Sequence, residues 1–306
     1  MKLHELSSAT IERLTSSGLD AAYVESVVRQ TVLEDLAGGI DVTSVATVPA
    51  TQRSIATFGS RASGCLAGVD IAAAVIDVVC GAAASVFESM KSDGERVQPG
   101  DVIARVEAPT QLLLTAERTA LNLMCHLSGI ATSTAQWVDA IAGSSAVIRD
   151  TRKTTPGLRA LEKYAVRCGG GQNHRMSLSD AALVKDNHIV AAGGVEEAFK
   201  KVREIASELP IEIEVDTIDQ LRIALTAGAD VVLLDNMSPD VMREAVAVAA
   251  EHKTSTGRDV LLEASGGLTL ERAKVVADTG VHFISVGALT HSSPILDIGL
   301  DLQTVI

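Results

Sequence analysis

The sequence predicts an α/β protein: a parallel sheet closed or nearly closed into a barrel, preceded by a smaller α+β unit. Three observations carry this expectation. Six short apolar runs alternate with amphipathic helical stretches after residue 145, a long helical stripe precedes them, and residues 52–110 mix short alternating runs with turns and one helix.

Taken in order, the first thirty or so residues place Leu3, Leu6, Ile11, Leu14, Leu19 and Val24 at roughly helical spacing, broken at Ser16, Ser17 and Gly18. Within 52–110, SIATFGS and VFESMKSDGERVQPGDVIARVEAP read as strands and turns around a helical AGVDIAAAVIDVVC. From Thr115 to Ile141 the residues Leu123, Leu127, Ile130, Thr134, Trp137 and Ile141 form one stripe, with Gly129 the expected point of interruption. The six expected strands are 146–151, 181–187, 211–216, 231–236, 260–266 and 283–287. About six βα repeats fit either an incomplete barrel or an open doubly wound sheet, and periodicity does not separate the two. The tail ILDIGLDLQTVI alternates Ile298, Leu300 and Leu302 as a last strand returning to the first domain. The expected domains are therefore 1–120 joined by 292–306, and 121–291.

Composition narrows the function. A net charge of -13 disfavours nucleic acid and anionic membrane as partners, since both need a basic face, and 2% aromatic content is too little for base stacking. Cys65, Cys80, Cys125 and Cys168 are widely spaced and suggest neither a disulfide framework nor a zinc site. The polar start MKLHELSSAT and the absence of a long apolar run lead to the expectation of a soluble cytoplasmic protein.

The chemistry is expected at the strand ends, because barrel enzymes build their sites at the carboxyl ends of their strands. These ends supply Asp150, Arg152 and Lys153, then Lys185 and Asp186, Glu214 and Asp216, Asp235, Glu263 and Ser265, and Gly287. Glu212, Glu214 and Asp216 alternate with apolar residues, so the three carboxylates share one face and call for cations opposite. Residues 146–190 hold eight Lys and Arg against four Asp and Glu, a net of +4 in an acidic chain, which points to an anionic ligand. Of these cations, Arg159, Lys163 and Arg167 read as helix-surface charges. Ser265-Gly266-Gly267 and Gly287 let main-chain amides approach a phosphate. The paired acids followed by a Thr-Gly loop of common phosphoribosyltransferases, the Walker loop and the GxGxxG fingerprint are all absent.

DTRKTTPGLRALEKYAVRCGGGQNHR (150–175), LVKDNHI (183–189), EIEVD (212–216), LLDN (233–236) and EASGG (263–267), with EDLAGGIDVTS (34–44) and AERTALNLMCHLSGIAT (116–132), resemble the quinolinate phosphoribosyltransferase family over nearly the whole chain. The resemblance implies an incomplete α/β barrel beside an α/β sandwich, at least a homodimer with shared active sites, and conversion of quinolinate and phosphoribosyl pyrophosphate, with Mg2+, to nicotinate mononucleotide, carbon dioxide and pyrophosphate. It further implies that Arg118, Arg152, His174, Arg175 and Lys185 surround quinolinate and that Lys153 lies near both substrates. Glu214 and Asp235 would address the ribose hydroxyls and the metal through substrate or water. Ser265, Gly266, Gly267 and Gly287 would hold the 5-phosphate. Lys153, Lys185, Glu214 and Asp235 make up the implied catalytic set.

Two rivals remain at this stage. A relative of the same fold acting on nicotinate or another acceptor is distinguished by substrate assay. A non-catalytic anion sensor accounts for the basic cluster but leaves Glu214 and Asp235 without a purpose.

Overall fold

The computed structural model describes residues 2–304, so residue 1 and the last two residues of the expected returning tail, 305 and 306, lie outside the described residues. The chain forms two compact units, one of residues 1–133, 155–170 and 292–306, the other of 134–154 and 171–291. The expected boundary at 120/121 falls inside a continuous helix, Thr110–Ala140, and the units divide further along it. All six residues of the expected stripe are buried. The expected interruption at Gly129 does not occur: this glycine is needed for close approach, since a Cβ there would collide with the Pro294 carbonyl.

In the first unit, helices Ser8–Ser16 and Ala21–Leu36 start where Ser7 and Asp20 accept the N–H groups of Thr10 and Ala22. Gly18, at φ +75, makes the break between them. The strands are β1 (Arg53–Ser60), β2 (Gly64–Cys65), β3 (Val86–Ser89), β4 (Arg96–Val97) and β5 (Val102–Pro109). β5 lies antiparallel between β1 and β3, while β2 and β4 form a separate pair. Ser54, Ala56, Phe58 and Ser60 alternate inward along β1. The helix Val69–Cys80 packs against β3 and β5 and buries every residue except Asp70. Helices layered on one antiparallel sheet make this unit an α/β sandwich.

The helix Arg159–Cys168 also belongs to this unit. Its residues from Leu161 to Val166 are buried, and Lys163 is 0% exposed. This corrects the expectation of a surface charge at Lys163. The polar neighbours are satisfied: Glu162 meets His126 at 2.9 Å and accepts the Thr155 N–H at 3.0 Å, and the Tyr164 hydroxyl donates to Asp93 at 2.6 Å.

The second unit holds β6 (Val147–Arg149), β7 (Ala182–Val184), β8 (Ile211–Val215), β9 (Val231–Asp235), β10 (Leu261–Ser265) and β11 (Phe283–Ser285), one for each expected strand. All pairings are parallel, in the order β6-β11-β10-β9-β8-β7. A doubly wound sheet reverses its order at an internal switch point. Here β7 to β11 follow chain order and the first strand pairs with the last, as in a closing barrel, with no pairing between β6 and β7. The segment linking those two strands is the one whose helix packs in the first unit. The helix Pro239–Thr256 stops at Gly257, φ +75.

Finally, β12 (Ile298–Thr304) runs antiparallel to β1 and completes the first unit's sheet as β12-β1-β5-β3. Among the described residues no helix is long and apolar enough to cross a membrane.

Candidate active site

At the carboxyl ends of the six parallel strands lies a cavity of ≈ 770 Å³, walled entirely by the second unit. Strand order dictates what faces what. Arg152 and Lys153 follow β6, His174 and Arg175 precede β7, and Lys185 follows it, so cations flank the unpaired β6/β7 gap. Glu214 and Asp235 come next on adjacent β8 and β9, then Ser265, Gly266 and Gly267 after β10, and Gly287 after β11. Around the rim the order is cations, acids, glycines.

Lys185 Nζ stands 3.5 Å from Glu214 Oε2. Burial pushes the Glu214 carboxyl above the ordinary range; Lys185 opposes this and the like charge of Asp235 adds to it. Arg175 donates from Nη1 to the Ala181 carbonyl at 2.8 Å, and its charge is disfavoured first by burial, then by Arg152, with Glu212 acting the other way. The Nε groups of Arg152 and Arg175 are buried and have no partner among the described residues, which an anionic ligand would supply. The Lys153 turn is pinned at both ends: its N–H donates to Thr151 Oγ1 at 3.0 Å and its carbonyl accepts from the Thr290 hydroxyl at 2.8 Å.

Beneath the cations lies a buried polar array. His174 Nε2 is 2.7 Å from Glu212 Oε2, and His174 Nδ1 lies 2.8 Å from the Arg175 main-chain nitrogen. Glu263 accepts from Arg149 at 2.7 Å and from the Ser285 hydroxyl. Burial and then Glu212 hold the Glu263 carboxyl above its ordinary range, opposed by Arg149 and the Ser285 hydroxyl. His174, Glu212 and Glu263 bring potential metal-ligand atoms within 4.8 Å of one another. However, Arg149 and Ser285 already occupy both Glu263 oxygens, so the array is better described as an ion-pair network. Arg149 is held further by stacking 4.1 Å over the Phe283 ring.

The glycine wall is a backbone requirement. Gly266 (φ +87) and Gly267 (φ +56) adopt left-handed conformations, and a Cβ on Gly266 would sit 2.9 Å from the Asn236 main-chain nitrogen. A Cβ on Gly287 would press on the Lys153 side chain at 3.0 Å. Asn236, itself at φ +53, donates from Nδ2 to Asp235 at 2.6 Å and orients that carboxylate.

The cavity wall thus gathers Arg152, Lys153, His174, Arg175, Lys185, Glu214, Asp235, Ser265, Gly266, Gly267 and Gly287. It does not include Arg118, which lines a separate ≈ 390 Å³ cavity of the first unit with Arg61, Asn122 and Asp297. Asp216 is exposed and takes no part, because β8 ends at Val215. Asp150 is fully buried and accepts from Asn173 and the His174 N–H at 2.6 and 2.8 Å, a structural role. Sequence reasoning missed Thr151, Asn236 and His291 on the wall. Thr151 and Asn236 each neighbour a residue that was found, and adjacency to a strand end was the available signal; His291 ends the helix Ala288–His291, beyond the last strand, and carried no such signal.

Two family models match the chain: Quinolinate phosphoribosyl transferase, C-terminal domain, over residues 130–301, and its N-terminal domain over 41–128. A nicotinate-nucleotide pyrophosphorylase [carboxylating] of Mycobacterium leprae is 50% identical over 289 residues, 94% of this chain and 100% of the relative. A probable enzyme of the same name from Bacillus subtilis is 48% identical over 69% of this chain and 71% of its own. The solved nicotinate-nucleotide pyrophosphorylase of Francisella tularensis superposes with a TM-score of 0.85 at 38% identity, covering 92% of this chain and 96% of that one.

Proposed function

Because the chain belongs to the quinolinate phosphoribosyl transferase family, we propose that the barrel-end cavity is where it performs the family's reaction. That reaction moves phosphoribosyl from phosphoribosyl pyrophosphate to quinolinate with decarboxylation, giving nicotinate mononucleotide, carbon dioxide and pyrophosphate in NAD biosynthesis.

The order of groups around the rim is the observation that carries the proposal. Arg152, Arg175 and Lys185 face the two carboxylates of quinolinate, with His174 on the same side. Glu214 and Asp235 face the ribose hydroxyls, and Ser265, Gly266, Gly267 and Gly287 receive the 5-phosphate. Lys153, whose side chain adjoins Gly287, lies between the two substrates.

The pyridine nitrogen bonds to the ribose anomeric carbon as the bond from that carbon to the pyrophosphate oxygen breaks. Positive charge developing on the ribose is stabilised by the carboxylates of Glu214 and Asp235, already fixed in place, so positioning and electrostatics suffice without a protein nucleophile. The ribosylated nitrogen then draws electrons. The bond to the adjacent carboxylate breaks, carbon dioxide leaves, and the ring carbon retains the electron pair and takes up a proton.

The donor set suits magnesium: Glu214 and Asp235 offer hard oxygen ligands on neighbouring strands, and their mutual repulsion favours a cation. Bound with the pyrophosphate and faced by these two residues through substrate or water, magnesium would neutralise leaving-group charge. The reading also includes a cytoplasmic homodimer in which Arg118 serves the site of a second copy.

The test is turnover of quinolinate plus phosphoribosyl pyrophosphate with and without magnesium, following nucleotide and carbon dioxide, with nicotinate as the competing acceptor. Nicotinate lacks one carboxylate and leaves a cation unpaired, so a preference for quinolinate of about a hundredfold in kcat/KM is expected. Comparable values for the two acids would sink the quinolinate assignment.

A further inference from the structure

Both ring nitrogens of His174 are committed, and one of them unambiguously. The Arg175 main-chain N–H can only donate, so His174 Nδ1, 2.8 Å away, is an acceptor without a proton. The ring proton therefore sits on Nε2 and is donated to Glu212 Oε2 at 2.7 Å. His174 thus presents the Nε2–H tautomer. His174 lines the cavity, but Glu212 does not and is only 6% exposed behind the ring.

We propose that Glu212 is a positioning residue for the pyridine-carboxylate subsite. By accepting the Nε2 proton it selects the His174 tautomer whose Nδ1 holds the Arg175 main chain, and so aims the Arg175 guanidinium into the cavity. The inference rests on the quinolinate reading of the site.

Three further features agree with this role. The His174 N–H is itself fixed by buried Asp150 at 2.8 Å, so the turn carrying Arg175 is held at its main chain on both sides of the ring. Among the described residues Arg175 has one guanidinium anchor, the Ala181 carbonyl, and a buried Nε without a partner; its direction therefore depends on where its backbone is placed. Removing Glu212 also frees the ring to adopt the Nδ1–H tautomer, in which the ring and the Arg175 N–H would present two donors to each other. A buried residue held 2.7 Å behind a binding histidine is the arrangement by which supporting partners set ring orientation in other imidazole sites.

The experiment compares wild type with E212Q, E212D, E212A, H174A and the E212A/H174A double variant. Gln keeps an acceptor at the same reach, whereas Asp keeps the charge but withdraws the acceptor by a methylene. Expected are a KM for quinolinate raised about tenfold in E212A and E212D, a rise of no more than about threefold in E212Q, and an unchanged KM for phosphoribosyl pyrophosphate. In the H174A background E212A should add less than about twofold, because Glu212 acts through the ring. Long-range 15N NMR of the ligand-free protein should show His174 as Nε2–H in wild type and E212Q and as a mixture in E212A. If E212A fails to fold, E212D carries the kinetic test.

The inference is overturned by a wild-type KM for quinolinate in E212A and E212D, by both KM values rising together, by an equal effect of E212A in the H174A background, or by an Nδ1–H ring in wild type. Its failure is distinct from failure of the substrate reading. A wild-type enzyme that ignores quinolinate defeats the latter, while the His174 tautomer and its dependence on Glu212 are still read in the free protein.

Discussion

Replacing Arg175 by Met removes a guanidinium and keeps most of its apolar stem. Losing a charge-assisted contact to a quinolinate carboxylate costs about 1.5 to 3 kcal/mol, so kcat/KM for quinolinate should fall about 10- to 150-fold. Stability should respond differently. The lost Nη1 bond to the Ala181 carbonyl is offset by removing a charge that burial and Arg152 already disfavour. The two effects are opposite in sign, so Tm should stay within about 3 °C of wild type. Selectivity should narrow as well, because nicotinate cannot use the second carboxylate contact that the variant lacks. Steady-state kinetics with both acids at saturating phosphoribosyl pyrophosphate, together with calorimetry, measure all three quantities. A kcat/KM within about twofold of wild type, or a Tm drop of about 10 °C accompanying the lost activity, would refute the reasoning by showing that Arg175 is either idle or structural.

Lys153→Ala and Lys185→Ala should each lower turnover by about tenfold or more while leaving Tm nearly unchanged, since Lys185 is half exposed and surface pairs contribute only about 0 to 1 kcal/mol; near-normal turnover in either variant argues against its place in the catalytic set. Mixing inactive Arg118→Ala with inactive Lys185→Ala chains should restore partial activity through hybrid dimers, and no recovery after verified subunit exchange would mean that each site is built within one chain. Burial pushes the Cys80 and Cys168 thiols from the usual 9.0 to about 12. The folded protein therefore retains these protons where the unfolded chain releases them, and stability should decline above about pH 9 by about 1.4 kcal/mol per pH unit for each thiol. Urea melts from pH 8 to 10 check this, and a flat stability profile would contradict it.

Much of the site could be read in the sequence because its residues sit at strand ends, and strand ends follow from local pattern. Lys185 after ALV, Asp235 at the end of VVLLD and Ser265 at the end of LLEAS are positions that a short apolar run marks on its own. The same reasoning misplaced Asp216, because alternation continued one residue past the point where β8 stops pairing. It also treated Lys163 as a surface charge, since a helix that is buried on all sides and internally paired differs from a solvated helix only through its neighbours. The tautomer of His174 could not be read from the sequence at all; only the Arg175 N–H beside Nδ1 shows it.

By itself the sequence determined the six strands of the second unit and their order, the residues at the strand ends and, through long motifs, the family. These depend on periodicities of two and about 3.6 residues and on side-chain chemistry, all local to a few turns of chain. Tertiary structure alone decided that β6 pairs with β11 while leaving a gap beside β7, that the helix Arg159–Cys168 packs in the first unit, and that Glu212 lies behind His174 rather than in the cavity. Each of these is a choice of partner between segments distant in sequence, decided by which surfaces bury each other and which buried polar groups find a mate.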